Sequence, residues 1–214
     1  MLEELKKVVY ECNMELPKSG LVQWTSGNVS GRDAETGYVV IKPSGVSYDK
    51  MSDADMVVVD LEGNVIEGKL TPSSDTDSHL YVYRHRDDVF GVVHTHSNYA
   101  TAFAAIGKPI PACLTMIAEN FGVEVPVGEY APIGGEEIGA EIIRSIGDSP
   151  AILMKSHGVF TIGSSPVDAL KNAIIVEDVA KTYWLALQVG EPNIMSTEEV
   201  KEHQKWYKQS YGQK

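Results

Sequence analysis

The chain has 214 residues, enough for one large domain with a full core or at most two small ones. A hydrophobic share of 43% beside a charged share of 22% is that of a globular protein, which excludes a disordered chain. A net charge of −12 with no Lys/Arg-rich stripe argues against a nucleic-acid partner, so an anionic ligand must be held by backbone N–H groups and one or two local cations.

Leu5, Val8, Val9, Cys12 and Leu16 recur at helical spacing and predict an amphipathic opening helix over residues 2–16, ended by Pro17-Lys18-Ser19-Gly20. Thr25 to Ser30 reads as a small polar loop. Tyr38 to Lys42 is a strand closed by Pro43-Ser44-Gly45, and Met56 to Asp60 with Asn64 to Glu67 is a hairpin. Pro72-Ser73-Ser74-Asp75 precedes a helix over Thr76 to His85. Val89 to His96 is a strand, Ser97 to Ile106 a helix, and Val123 to Val127 a further strand. Ile138, Ile142, Ile143 and Ile146 share one face of a helix over Gly135 to Ile146. Strands over Ala151 to Lys155 and Val159 to Ile162 flank Ser156-His157-Gly158. Ser165-Pro166-Val167-Asp168 and Ser196-Thr197-Glu198-Glu199 have the form of helix starts, opening helices to about Gln188 and about Gln209. Helices and strands alternate with short connections and no linker, which predicts one α/β domain over residues 1–214. Cys12 and Cys113 are isolated, the first residues have no signal-peptide character and no apolar run nears about 18 residues, so a cytoplasmic protein without membrane contact is expected.

His94 and His96 stand two apart on a strand, so their side chains share a face with Cα atoms about 7 Å apart. Two imidazoles so placed can converge on one ion at about 2.0–2.1 Å. His157 is a third candidate, because a polar Ser-His-Gly turn between two apolar strands needs a reason. Asp75 or Glu119 is the candidate oxygen ligand. His79, His85 and His203 lie among charged residues and read as solvated helix surface. Short turns at Ser26-Gly27-Asn28, Ser44-Gly45 and Ser73-Ser74 offer close backbone approach and free N–H groups. With Lys42 beside one turn and Asp75 beside another, they suggest a phosphate pocket next to the metal. No nucleotide-binding glycine motif, GxSxG or activated cysteine is present.

Five motifs occur in the order seen in the class II aldolase/adducin family: Thr25-Ser26-Gly27-Asn28-Val29-Ser30, Ile41-Lys42-Pro43-Ser44-Gly45-Val46, Pro72-Ser73-Ser74-Asp75-Thr76, Val93-His94-Thr95-His96-Ser97 and Ser156-His157-Gly158. The chain resembles that family over nearly its whole length. Within the family it looks most like the L-ribulose-5-phosphate 4-epimerases, whose Tyr-Gly-Gln ending it shares at Tyr211-Gly212-Gln213.

The resemblance implies a three-layer α/β/α sandwich around a largely antiparallel sheet, in a homotetramer with active sites between subunits. It implies a divalent metal, zinc with manganese or cobalt as substitutes, on His94, His96 and His157, with Asp75 as a fourth and more labile ligand. Gly27, Asn28, Ser44, Gly45, Ser73 and Ser74 match substrate-binding positions, chiefly for the phosphate of a ketose. Tyr211 matches a catalytic tyrosine that reaches a neighbour's site. Ile117-Ala118-Glu119-Asn120-Phe121 stands where the epimerases have His-Ala-Asp-Tyr-Phe, so Glu119 would replace an aspartate as the second acid. Met116-Ile117-Ala118 and the compact stretch from Pro126 to Lys155 read more like the fuculose-phosphate-type aldolases. The expected reaction is 4-epimerisation of L-ribulose 5-phosphate by retro-aldol cleavage and re-formation, with aldol cleavage alone as the alternative. An adducin-like binding protein is a distant third.

Overall fold

The structure, a computed structural model, describes residues 2–212. Its frame is an eight-stranded sheet: β1 (Asn28–Arg32), β2 (Val39–Ile41), β3 (Val57–Val59), β4 (Val65–Glu67), β5 (Gly91–Thr95), β6 (Val127–Gly128), β7 (Ala151–Met154) and β8 (Gly158–Gly163). The spatial order is β4-β3-β2-β1-β5-β8-β7-β6, and every neighbouring pair is antiparallel except β6 with β7. The helices are α1 (Glu3–Lys18), α2 (Thr76–His85), α3 (Asn98–Ile106), α4 (Thr115–Asn120), α5 (Glu137–Ser145), α6 (Pro166–Val189) and α7 (Thr197–Ser210).

The strands are short apolar runs because both sheet faces are covered. Successive residues alternate between two layers: Val40, Val58 and Val93 pack with α1 and α6, whereas Val39, Val57, Val59 and Val92 pack with α2 and α5. Further along, Leu153 and Val159 meet α3, α4 and α6, while Ile152 and Phe160 face α2 and α5. The result is the expected three-layer α/β/α arrangement. Ser165 caps α6 by accepting the Asp168 N–H at 3.1 Å, and Ser196 with Glu199 forms a reciprocal box on α7. No helix of the described residues is long and apolar enough to cross a membrane.

Three expectations need correction. The polar stretch at Thr25 to Ser30 is a loop only to Gly27; from Asn28 it is a central strand. The stretch lacks apolar periodicity because its polar groups find partners inside the fold. The Asn13 side chain accepts the Val29 N–H at 2.9 Å and donates to the Val29 carbonyl at 3.1 Å, taking the place of a neighbouring strand. The Ser30 hydroxyl lies 2.7 Å from His79 Nδ1 and 2.8 Å from the Tyr83 hydroxyl. His79, expected at the surface, is therefore fully buried, since α2 turns that face onto the sheet. Finally, the strand expected at Val123 to Val127 contracts to Val127–Gly128 with a lone bridge between Ile110 and Val125, and the short helix α4 was not foreseen.

Close approach of α6 to the sheet sets one further requirement. A Cβ on Gly91 would lie 2.2 Å from the Ser165 carbonyl oxygen, a backbone atom that cannot rotate away. Gly91→Ala is expected to cost about 1–3 kcal/mol of stability in urea denaturation. Gly190→Ala, at an extended position with open space around it, is expected to be near neutral in the same measurement.

Candidate functional site

A strand wrapped in apolar residues on both faces can present polar side chains only where it leaves the sheet. β5 leaves it at His94-Thr95-His96, and β7 turns into β8 through Ser156-His157. Ser156 takes a left-handed backbone (φ 61°), and its N–H is anchored on the Ala104 carbonyl of α3 at 3.1 Å. The tight turn brings His157 back beside β5. One ligand atom from each of His94, His96 and His157 lies within 4.8 Å of the others. Gly158 makes the approach possible: a Cβ there would sit 2.5 Å from the Thr95 carbonyl oxygen and 2.6 Å from His96 Cδ2.

The rings are prepared as metal ligands. His94 Nδ1 donates to the Val159 carbonyl at 2.9 Å, a bond that fixes the tautomer and leaves Nε2 with its lone pair. That atom lies 2.9 Å from His96 Nε2. Two nitrogens on one tetrahedral ion stand about 3.3 Å apart at bond lengths of about 2.0–2.1 Å, so a small opening of the pair admits the ion. Phe160 stacks on the His94 ring with centroids 4.2 Å apart and holds its plane. The donor set fits a zinc-type divalent cation.

Burial keeps these imidazoles neutral. It lowers His94 to about 3, against the pull of Asp75, and lowers His79 to about 4. His96 and His157 are lowered as well, chiefly by burial. Burial also works to raise Asp75, but His94, His79, the Asn28 hydrogen bond and His157 together outweigh it, and its carboxyl titrates below the usual range. Lys42, buried, is lowered by burial while Asp75 works to raise it.

The histidines open into a cavity of about 340 Å³ that is also lined by Thr25, Ser26, Gly27, Asn28, Lys42, Ser44, Gly45, Ser73, Ser74, Asp75 and Ile133. Its walls are three loops, two of them stitched by backbone bonds, Ser44 N–H to the Thr71 carbonyl at 2.8 Å and Ser73 N–H to the Lys42 carbonyl at 3.0 Å. Asn28 Nδ2 donates to Asp75 Oδ2 at 2.6 Å and to Ser73 Oγ at 3.0 Å, fixing the carboxylate beside the histidines. The N–H groups of Gly27, Gly45 and Ser74 have no acceptor among the described residues. Three free donors with a buried ammonium make a candidate anion site in a strongly acidic chain.

Of the residues singled out for metal or phosphate, all but Glu119 line one cavity; Glu119, on another face, is no ligand to this cluster within its own subunit. Neither of the two candidate acids lines it. Glu119 on α4 lines a separate cavity with Glu202, His203 and Trp206, and Tyr211 ends α7 with 63% of its surface exposed, stacked on Tyr207. Asp75 lies outside the group of three whose ligand atoms converge. Ile133, at 70% exposure, was not foreseen; an apolar residue in the loop 130–135, before α5, was its only signal. Phe160 and Val159 were read only as strand core.

The fold thus places three imidazoles that could hold a metal ion at a strand exit, beside a cavity lined by Gly/Ser turns. Residues 7–184 match the family model described as Class II Aldolase and Adducin N-terminal domain. The chain belongs to the class II aldolase and adducin family. Among solved structures it is similar to an L-fuculose 1-phosphate aldolase, at 34% identity with 96% of each chain covered and a TM-score of 0.91. The L-fuculose-1-phosphate aldolase of Thermus thermophilus is 26% identical, with 89% of this chain and 98% of that one covered and a TM-score of 0.73. The L-fuculose 1-phosphate aldolase of Glaciozyma antarctica, 22% identical over 95% of this chain and 81% of that one, shares the fold at a TM-score of 0.82.

Two outcomes are expected. His157→Asn should remove stoichiometric zinc, measured by elemental analysis, while the far-ultraviolet circular dichroism of the fold stays unchanged. In metal-free protein, histidines with lowered native values bind fewer protons than they do unfolded. Stability is therefore whole above pH 6.5 and falls as the pH drops toward 4. His79 and His94 should each remove about 2 kcal/mol between pH 7 and pH 5, read by urea denaturation.

Proposed function

We propose that this protein is a metal-dependent lyase that cleaves a phosphorylated ketose between C3 and C4, with L-fuculose 1-phosphate or a close analogue as its substrate. The observation that carries the reading is one cavity combining three neutral imidazoles with unpartnered backbone donors and a buried lysine. A divalent ion, when bound by His94, His96 and His157, supplies Lewis-acid polarisation of the ketose oxygens and takes up charge as the carbon–carbon bond breaks.

The protein's own groups do the rest. Gly27, Asn28, Ser44, Gly45, Ser73 and Ser74 hold the phosphate, with Lys42 balancing its charge, and so fix where the cleaved bond lies relative to the histidines. Asp75 serves as a fourth, exchangeable ligand, oriented by Asn28. Glu119 and Tyr211 lie outside the cavity of their own subunit, and in this reading they act in a neighbour's site within a homotetramer as the base and acid that accept the C4 hydroxyl proton and return one to C3. The enzyme would work in the cytoplasm, as a single domain over residues 1–214.

The similar structures are named for aldol cleavage, which favours the lyase over the 4-epimerase expected first. One feature keeps the epimerase as a second reading: a tyrosine and a carboxylate are both available, and inversion at C4 needs a proton donor on each face of the aldehyde. Retention of the histidines and the anion pocket speaks against a non-catalytic adducin-like role.

With zinc supplied, incubation with L-fuculose 1-phosphate should release dihydroxyacetone phosphate, measured by a coupled reductase. L-ribulose 5-phosphate should give no lasting pool of its C4 epimer by NMR. Accumulation of D-xylulose 5-phosphate without free aldehyde would move the assignment to the epimerase.

A further inference from the structure

The anion pocket depends on a loop whose backbone has to be held against its own preferences. Trp24 (φ 58°) and Gly27 (φ 74°) are both left-handed, and Trp24 has a Cβ to accommodate there. The loop lies close on the protein beneath it, since a Cβ on Gly27 would fall 2.3 Å from Val22 Cγ1.

Three consecutive carbonyls of this loop are taken up by two side chains behind it. Lys42 Nζ donates to the Thr25 carbonyl at 3.1 Å. The Tyr48 hydroxyl lies 2.9 Å from the Ser26 carbonyl oxygen and 3.1 Å from that of Gly27, and it donates to them in a shared bond. Tyr48 is buried, sits on the single helical turn Tyr48–Lys50 and does not line the cavity. Its ring lies 5.0 Å from Lys42 Nζ, within cation–π range. In a trans peptide the carbonyl and the next N–H point in opposite directions. Drawing the Ser26 carbonyl inward therefore turns the Gly27 N–H outward, where it has no acceptor among the described residues, while the Ser26 N–H is taken by the Gln23 carbonyl at 3.1 Å.

We propose that Tyr48 is a positioning residue for anion binding: its hydroxyl clamps the Ser26 and Gly27 carbonyls, and its ring seats the Lys42 ammonium, so that loop and lysine meet a phosphate pre-arranged. The inference rests on the phosphate-pocket reading above and adds a residue that never touches the substrate. Burial raises the Tyr48 phenol above its ordinary range, so it remains a donor throughout the working pH range.

The test uses zinc-loaded protein and inorganic phosphate as the probe in isothermal titration calorimetry, beside kinetics on L-fuculose 1-phosphate and unphosphorylated L-fuculose. Tyr48→Phe keeps the ring and removes the donor. It should weaken phosphate binding roughly five- to tenfold and raise KM for the phosphorylated ketose by a similar factor. Its kcat should stay within about twofold, and kcat/KM for the unphosphorylated sugar should not change. Replacement by 4-aminophenylalanine, which restores a donor, should recover most of the binding. If Tyr48→Phe does not fold, 4-fluorophenylalanine at the position gives the same reading.

Phosphate binding by Tyr48→Phe equal to the parent's overturns the inference alone, as does failure of the amino analogue to rescue. A parent that binds no phosphate overturns the phosphate-pocket reading and this inference with it. The calorimetry holds whichever ketose phosphate proves to be the substrate.

Discussion

Apolar cover on both faces of the sheet is the constraint from which the site follows. β5 runs through the middle, with Val92 packed toward α2 and α5 and Val93 toward α1 and α6. An unpaired polar group buried along such a strand is costly, so polar side chains collect where it emerges, the unpartnered Thr95 hydroxyl among them. His94 stands at that exit. It is still buried, and its Nδ1 is satisfied by the Val159 carbonyl of the neighbouring strand. The antiparallel pairing of β5 with β8 sets that bond, and the turn before β8 delivers His157 to the same place. Strand register therefore decides whether the histidines meet, and a shift of one residue would turn them apart.

A candidate anion site in an acidic chain has to concentrate positive potential locally. Here the means are backbone donors more than surface cations. Gly27, Gly45 and Ser74 offer N–H groups on three loops, two tied by backbone hydrogen bonds and the third by the Asn28 and Lys42 side chains, and Lys42 brings a buried ammonium. Such donors are dipoles fixed by the fold, and they lose no side-chain freedom when a ligand arrives. The same burial keeps the imidazoles neutral, which leaves their lone pairs ready for a cation next door. Cation and anion sites can thus share a wall without competing, with Asp75 and Asn28 between them.

Much of this was legible in the chain. Apolar runs bounded by Gly, Pro and Ser marked most strands, capping serines marked α6 and α7, and the His94/His96 spacing with the Ser156-His157-Gly158 turn marked the ligands, because those signals are local consequences of backbone geometry. The Gly/Ser turns that line the cavity were visible as turns, since glycine and serine at element ends are common turn and cap residues. What stayed hidden depends on partners distant in sequence. Asn28 to Ser30 looked like part of a loop, because their strand character comes from Asn13 and from pairing with β5. His79 looked like surface, because only the packing of α2 against Ser30 and Phe160 shows it to be core. Residue types and short spacings thus determined which groups are candidates for metal and anion binding. Tertiary packing alone decided that the metal and phosphate groups share one cavity while Glu119 and Tyr211 stand outside it, since convergence of side chains dozens of residues apart is set by strand order and helix docking, which no local pattern encodes.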